Sequence, residues 1–302
     1  RVIMLTDLKT LDVRGKLSFD ESMTSYNTWG VGGRAQCVFR PADVDDLQSF
    51  FKQYNAEQPV YWMGLGSNVL IPDEGLSGVV VISHPGLQGI SYKDDDSVYV
   101  EAGVACSKLA RGSVKHDLQG LEFMAGIPGT VGGALAMNAG AFGGSTWEHV
   151  RSLKMITRSG ELEQRQVDEF KVSYRTVETA ADEWFVAAEF QLSRIEANEE
   201  AASIRELLAK RNHSQPIGEK NCGSVFKNPP GLFAAEMIQQ CGLKGLKVGG
   251  AEISPKHANF IINTGSASAT DITELMAKII STVKKQYGVE LQPEVRTLGD
   301  VK

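Results

Sequence analysis

Apolar and polar residues alternate along this chain in short blocks, and the blocks predict a mixed succession of strands and helices. Residues 35–40 read as a short strand. Asp43 follows as a helix cap, with Val44, Leu47, Phe51 and Tyr54 at helical spacing behind it. Residues 59–63 predict the next strand, which runs into Gly64. No crossover helix follows that turn; Pro72, Gly75 and Gly78 lead into a further strand over 79–82. A hairpin is expected to turn at Asp94, Asp95 and Asp96, and a helix over 107–116. Strands recur over 153–157 and 184–192, where Trp184, Val186, Ala188, Phe190 and Leu192 show the period-two pattern of one buried face. Residues 195–202 read as a connection into a helix over 203–212. Asp271 with Glu274 resembles a capping box opening a last helix, lined by Ile272, Leu275, Met276, Ile279, Ile280, Val283 and Tyr287 and stopped by Gly288.

Composition narrows the function classes. A chain of 302 residues can bury a full core and is long enough for two or three units. The net charge of −6 argues against general nucleic-acid binding, which needs a basic face. No apolar run reaches the roughly 18 residues of a membrane span. The opening residues, soon interrupted by Asp7 and Lys9, do not read as a secretory signal, and a start on arginine suggests trimming or a tag remnant. Cys37, Cys106, Cys222 and Cys241 lie far apart with no C-x-x-C pair, which favours reduced thiols in a cytoplasm. The five histidines are equally scattered, so no metal site is expected. No feature of the sequence sets an oligomeric state.

The chemistry is concentrated in glycine-rich segments. Gly64-Leu65-Gly66-Ser67-Asn68 carries two glycines of a dinucleotide fingerprint, but it lacks the third and no helix follows, which excludes a Rossmann site. It reads either as a plain tight turn or as a turn whose N–H groups meet a pyrophosphate. In Gly126-Ile127-Pro128-Gly129-Thr130-Val131-Gly132-Gly133, Pro128 suits a first helical position, so the N–H groups of a helix start would face an anion. The alternative is close packing, which would rarely need the seven glycines between Gly126 and Gly144. In Cys222-Gly223-Ser224-Val225-Phe226-Lys227-Asn228-Pro229, Ser224 reads as a hydrogen-bonded loop serine or as a proton donor to a developing carbanion. Arg175, after Tyr174, reads as a surface ion pair or a carboxylate clamp. Glu294 and Arg296 would share a strand face and pair with one another. Cys222 and Cys241 read as buried small apolar residues.

These segments, in this order, resemble the UDP-N-acetylenolpyruvoylglucosamine reductase family. Asn27-Thr28-Trp29-Gly30-Val31-Gly32-Gly33, Met137-Asn138-Ala139-Gly140-Ala141, Tyr174-Arg175 and Pro293-Glu294-Val295-Arg296 extend the resemblance over nearly the whole chain. It implies an α+β fold: a FAD-binding fold of the vanillyl-alcohol-oxidase type in two subdomains, over 1–82 and 83–195, and a separate substrate-binding domain over 200–302. It implies non-covalent FAD held by Gly64, Leu65, Gly66, Ser67, Asn68 and Val69, and by Gly126, Ile127, Pro128, Gly129, Thr130, Gly132, Gly133, Asn138, Ala139 and Gly140. It implies NADPH as co-substrate and an enolpyruvyl UDP-sugar, reduced in peptidoglycan precursor synthesis. Ser224 would then be the proton donor, with Arg175 and Glu294 at the substrate carboxylate, and Tyr174, Lys227 and Asn228 touching the substrate. Glu294 would help only if protonated or shared through a hydrogen bond, which requires a raised pKa. With only residues 176–183 between Arg175 and the Trp184 strand, the chain resembles the shorter type, without a tyrosine-bearing insertion. The alternatives are a flavin oxidase of the same superfamily acting on a sugar or alcohol, and a flavin-binding sensor without turnover.

Overall fold

The computed structural model describes residues 8–54, 57–195 and 199–299. In chain order the first strands are β1 (Lys16–Ser22), β2 (Arg34–Arg40), β3 (Val60–Met63), β4 (Val69–Leu70), β5 (Leu76–Ile82), β6 (Ile90–Tyr92) and β7 (Ser97–Glu101). Then come β8 (Leu118–Gln119), β9 (Gly140–Ala141), β10 (Gly144–Ser145), β11 (Val150–Thr157), β12 (Leu162–Gln166), β13 (Lys171–Ser173), β14 (Thr176–Glu178), β15 (Glu183–Gln191) and β16 (Ser193–Arg194). The last are β17 (Lys247–Val248), β18 (Ala251–Ile253), β19 (Ile261–Asn263) and β20 (Arg296–Thr297). The helices are α1 (Val44–Gln53), α2 (Cys106–Lys115), α3 (Val131–Met137), α4 (Glu199–Ser214), α5 (Ala234–Gln240) and α6 (Ala269–Tyr287). The class is α+β, as expected.

The chain divides into two compact units. The first takes in Cys37–Leu65 and Gly78–Lys210 with the described residues before Asp20; the second takes in Asp20–Gln36, Gly66–Ser77 and the described residues from Arg211 onward. One sheet runs β1-β2-β5-β3, with β3 and β5 parallel, and a five-stranded antiparallel sheet runs β12-β11-β15-β7-β6. The second unit holds the small sheet β17-β18-β19 and the parallel pair β20-β4.

Local chemistry explains the elements. Asp43 caps α1 by accepting from the Asp46 amide at 2.9 Å. The buried face of α1 stacks Phe50 on Phe39, ring centroids 4.4 Å apart. Ser268 caps α6 in a capping box with Asp271, and Gly288 ends it at φ +70°. The cap is therefore three residues before Asp271, and Glu274 takes no part in the box. Helix α4 is longer than the sequence pattern suggests, and residues 196–198 of the expected connection lie outside the described residues.

Strand β15 departs from the expected single face. Lys154 pairs with Ala187 and Met155 with Phe185, so Val186 is the extra residue of a β-bulge. The bulge reverses the parity of the side chains. Trp184 and Val186 pack into the core around Phe39, Phe50 and Val79, whereas Phe185, Ala188, Phe190 and Leu192 pack into the core around Leu109, Leu135 and Leu153.

Asp46, on α1, is buried, and its carboxylate accepts from the amides of Arg14 at 2.6 Å, Gly15 at 2.8 Å and Ala42 at 2.9 Å. It ties the segment before β1 to the helix. Asp46→Ala leaves those donors without their acceptor and is expected to destabilise the protein by about 2–4 kcal/mol, measured as a lower urea midpoint with unchanged denaturant slope.

Candidate active site

In the first unit, two glycine segments meet. Gly64 ends β3, and a Cβ built on it would lie 2.2 Å from Thr130 Oγ1. Any larger residue there would collide with the Thr130 side chain. Thr130 is the N-cap of α3, so helix α3 begins at Val131 and Pro128 lies ahead of the cap, in the loop. This corrects the expectation that Pro128 opens the helix. The amides of that helix start are not left for a ligand either. Val131 N donates to Val104 O at 2.8 Å, Gly132 N to Ala102 O at 2.9 Å and Gly133 N to Thr130 Oγ1 at 3.4 Å. The cause is the neighbouring chain from Ala102 to Cys106, which bridges antiparallel to Thr130 through Ala105.

The donors that remain lie in the loops. Among the described residues, the amides of Gly64, Leu65, Gly66 and Ser67 find no protein acceptor, and neither do those of Gly129 and Thr130. Backbone amides are nearly always paired in a folded chain. A run of unpaired ones on small residues suits the oxygens of an anionic ligand. Gly66 is at φ +65°, and a Cβ there would lie 2.0 Å from Tyr26 O, so no other residue fits the turn. Gly126 closes a short 3-10 turn, Ile127 N donates back to Met124 O, and Ala139 is buried. These residues are thus chiefly framework for the loop.

Arg175 lies in the two-residue turn between β13 and β14, at φ +53°. A bulky residue in this region is uncommon, and such outliers gather at functional sites. Its guanidinium donates to Asn138 O at 3.3 Å and Gly140 O at 2.6 Å, and its Cζ is 5.3 Å from the centre of the Tyr174 ring. Tyr174 is 53% exposed. A cavity of about 390 Å³ opens here, lined by Asn138, Gly140, Phe142, Tyr174 and Arg175 among others. Its size lies in the range of small-molecule sites.

The second unit brings Ser224, Glu294 and Asn68 together. Glu294 N donates to Val225 O at 2.7 Å, Lys227 N donates to Gln292 O at 2.9 Å, and Phe226 bridges antiparallel to Pro293. Asn68 Nδ2 donates to Glu294 O at 3.1 Å, and Arg296 N donates to Asn68 O at 3.1 Å, so the glycine turn is stitched to the same segment. Val69 continues this in β4, paired with Arg296. Cys222 is buried, and its Sγ lies 3.5 Å from Val69 O and 3.2 Å from Thr28 Oγ1. Burial pushes its thiol up to about 11, so it is a neutral packing residue, as expected. Ser224 is half-buried, and among the described residues its hydroxyl has no hydrogen-bond partner. Asn228 Oδ1 accepts from Ala234 N at 3.0 Å, which satisfies the start of α5.

Asn259 was not legible as a site residue. It is buried, its Oδ1 accepts from Phe226 N at 3.0 Å, its Nδ2 donates to Phe226 O at 2.8 Å, and its own carbonyl accepts from Val225 N. It fixes the loop segment that follows Ser224, through Val225 and Phe226. The one signal in the sequence is an amide set in the apolar run from Ala258 to Ile262. Among the described residues, no three His, Cys, Asp or Glu side chains gather as metal ligands would, and no helix is long and apolar enough to cross a membrane.

Residues 35–164 match the model of a FAD binding domain, and residues 215–298 match that of the UDP-N-acetylenolpyruvoylglucosamine reductase C-terminal domain. The UDP-N-acetylenolpyruvoylglucosamine reductase of Alkalilimnicola ehrlichii is 47% identical over 286 residues, covering 95% of this chain and 96% of that protein. That of Nitrosococcus oceani is 47% identical over 293 residues, covering 97% and 98%. The crystal structure of the reductase from Thermus caldophilus superposes with a TM-score of 0.81 at 30% identity, covering 95% of this chain and all of that one. Similarity of this extent, with the glycine turns, Arg175, Ser224 and Glu294 placed as described, shows that the chain belongs to the UDP-N-acetylenolpyruvoylglucosamine reductase family of oxidoreductases.

Proposed function

We propose that this protein reduces UDP-N-acetylglucosamine enolpyruvate to UDP-N-acetylmuramate at the expense of NADPH, through non-covalent FAD, in the cytoplasmic synthesis of peptidoglycan precursors. The observation that carries the reading is the Ser224 hydroxyl: half-buried, without a protein partner among the described residues, and next to Val225, whose carbonyl accepts from the Glu294 amide. A hydroxyl kept this way is available to give up its proton. The unpaired amides of Gly64 to Ser67, Gly129 and Thr130 support a cofactor with a pyrophosphate, and these residues would hold it. Residues 1–82 and 83–195 are read as its two subdomains and 200–302 as the substrate-binding domain.

When bound, the flavin supplies the hydride that reaches the vinyl carbon of the substrate. The protein's own residues do the rest. Arg175 presents its planar fork to the substrate carboxylate, in a geometry preset by the two carbonyls that already hold it. Glu294 is read as standing at the same carboxylate and supporting it as negative charge spreads into it. Ser224 Oγ delivers its proton to the carbon bearing that carboxylate, which completes reduction of the double bond. Tyr174, Lys227 and Asn228 are read as substrate contacts. The high identity to proteins named as reductases favours this over an oxidase of the same superfamily.

In anaerobic stopped-flow, NADPH is expected to bleach the flavin and the enolpyruvyl substrate to restore its colour without oxygen; a flavin that stays reduced after substrate is added overturns the reading. Ser224→Ala is expected to slow that second step by about 10²–10⁴-fold while the bleaching by NADPH proceeds. Gly64→Val, which drives a side chain into Thr130, is expected to give a folded protein by circular dichroism that purifies without flavin colour.

A further inference from the structure

We propose that Asn138 is the positioning residue of the Arg175 guanidinium, rather than a ligand of the cofactor. The inference rests on the reading of Arg175 as the carboxylate-binding group. Asn138 is the C-cap of α3, at φ +44° and ψ +57°. Asparagine tolerates this left-handed conformation better than other residues with a side chain of its kind. The turn it makes leaves two carbonyls facing the same side chain. Asn138 O accepts from Arg175 Nη1 at 3.3 Å and Gly140 O from Nη2 at 2.6 Å. Two acceptors on one rigid turn set the plane of the guanidinium.

The side chain of Asn138 then fastens that turn to the segments around it. Its Oδ1 accepts from Trp147 N at 3.2 Å, and its Nδ2 donates to Ser173 O at 3.3 Å. Ser173 is the last residue of β13, at the base of the turn that carries Arg175. One amide therefore joins the helix end, the Trp147 segment and the Arg175 hairpin. A helix cap alone needs only the left-handed backbone and has no use for a side chain with both a donor and an acceptor. Gly140 serves the same arrangement: a Cβ on it would lie 3.1 Å from Arg175 Nη1.

Two variants separate these parts. Asn138→Gly keeps the cap and removes both side-chain bonds. Asn138→Asp keeps the acceptor for Trp147 N and sets an oxygen against Ser173 O, and it serves as the second variant if the glycine form does not fold. In the flavin-loaded protein, nitrogen-15 NMR of the arginine side chains is expected to show separate Nη signals for Arg175, assigned by their loss in Arg175→Ala. Both Asn138 variants are expected to average these signals and to raise KM for the enolpyruvyl substrate about tenfold, the size of one hydrogen bond. In an Arg175→Ala background, Asn138→Gly is expected to change KM no further. Arg175 signals that ignore both variants, additive KM effects, or loss of flavin from the Asn138 variants would overturn the inference. If the signals respond but Arg175→Ala leaves KM unchanged, the positioning stands and the role given to Arg175 fails.

Discussion

The close approach of Gly64 to Thr130 is the constraint on which the rest of the first unit's site depends. It brings the end of a parallel strand against the side chain of a helix cap, with no room for a side chain on the strand's own last turn. Once the loops touch, the hydrogen-bond ledger decides what each can do. The helix start is fully engaged by Val104, Ala102 and Thr130, so it is rigid but offers nothing to a ligand. Among the described residues of this unit, the loop amides of Gly64, Leu65, Gly129 and Thr130 have no protein acceptor.

The second unit solves a different problem with different means. Its sheets are short, and its functional loops lie outside them. Side-chain amides stand in for the missing ladders. Asn259 brackets Phe226, Asn68 joins the glycine turn to Glu294, and Asn263 Nδ2 donates to Trp29 O at 2.8 Å while Trp29 Nε1 donates to Ile261 O at 2.8 Å. An asparagine presents a donor and an acceptor in the same geometry as a peptide group, so each can replace one rung. Ser224 is left outside this network. Its loop is hydrogen-bonded before it at Gly223 and after it at Val225, while among the described residues its hydroxyl has no partner.

Much of the architecture was legible because it rests on local chemistry. Asp43 before an apolar helix stripe, Gly288 after one, and a run of aspartates between two strands each act within a few residues. The glycine turn at Gly64 was legible as something other than a dinucleotide fold for the same reason, since the third glycine and the helix are absent from the sequence itself. The reading failed where distant partners intervene. Alternation over residues 184–192 implied one face, but pairing with β11 inserts a bulge at Val186 and splits the side chains between two cores. Pro128 looked like a first helical residue, yet with Thr130 bridged to Ala105 the cap is Thr130 and the helix starts three residues later, at Val131.

By itself the sequence determined the class of fold, the identity of the small-residue loops and the chemical types available: one planar cation at Arg175, one hydroxyl at Ser224, one carboxyl at Glu294. These follow from composition and from interactions spanning a turn or less. Only the tertiary structure decided which amides are unpaired, that Arg175 sits in a left-handed turn gripped by the carbonyls of Asn138 and Gly140, and that Glu294 is one hydrogen bond from the residue after Ser224. The physical reason is that a hydrogen bond is defined by both its partners. Asn138 and Arg175 are 37 residues apart, and Asn68 and Glu294 are 226 apart, so no local pattern carries the pairing.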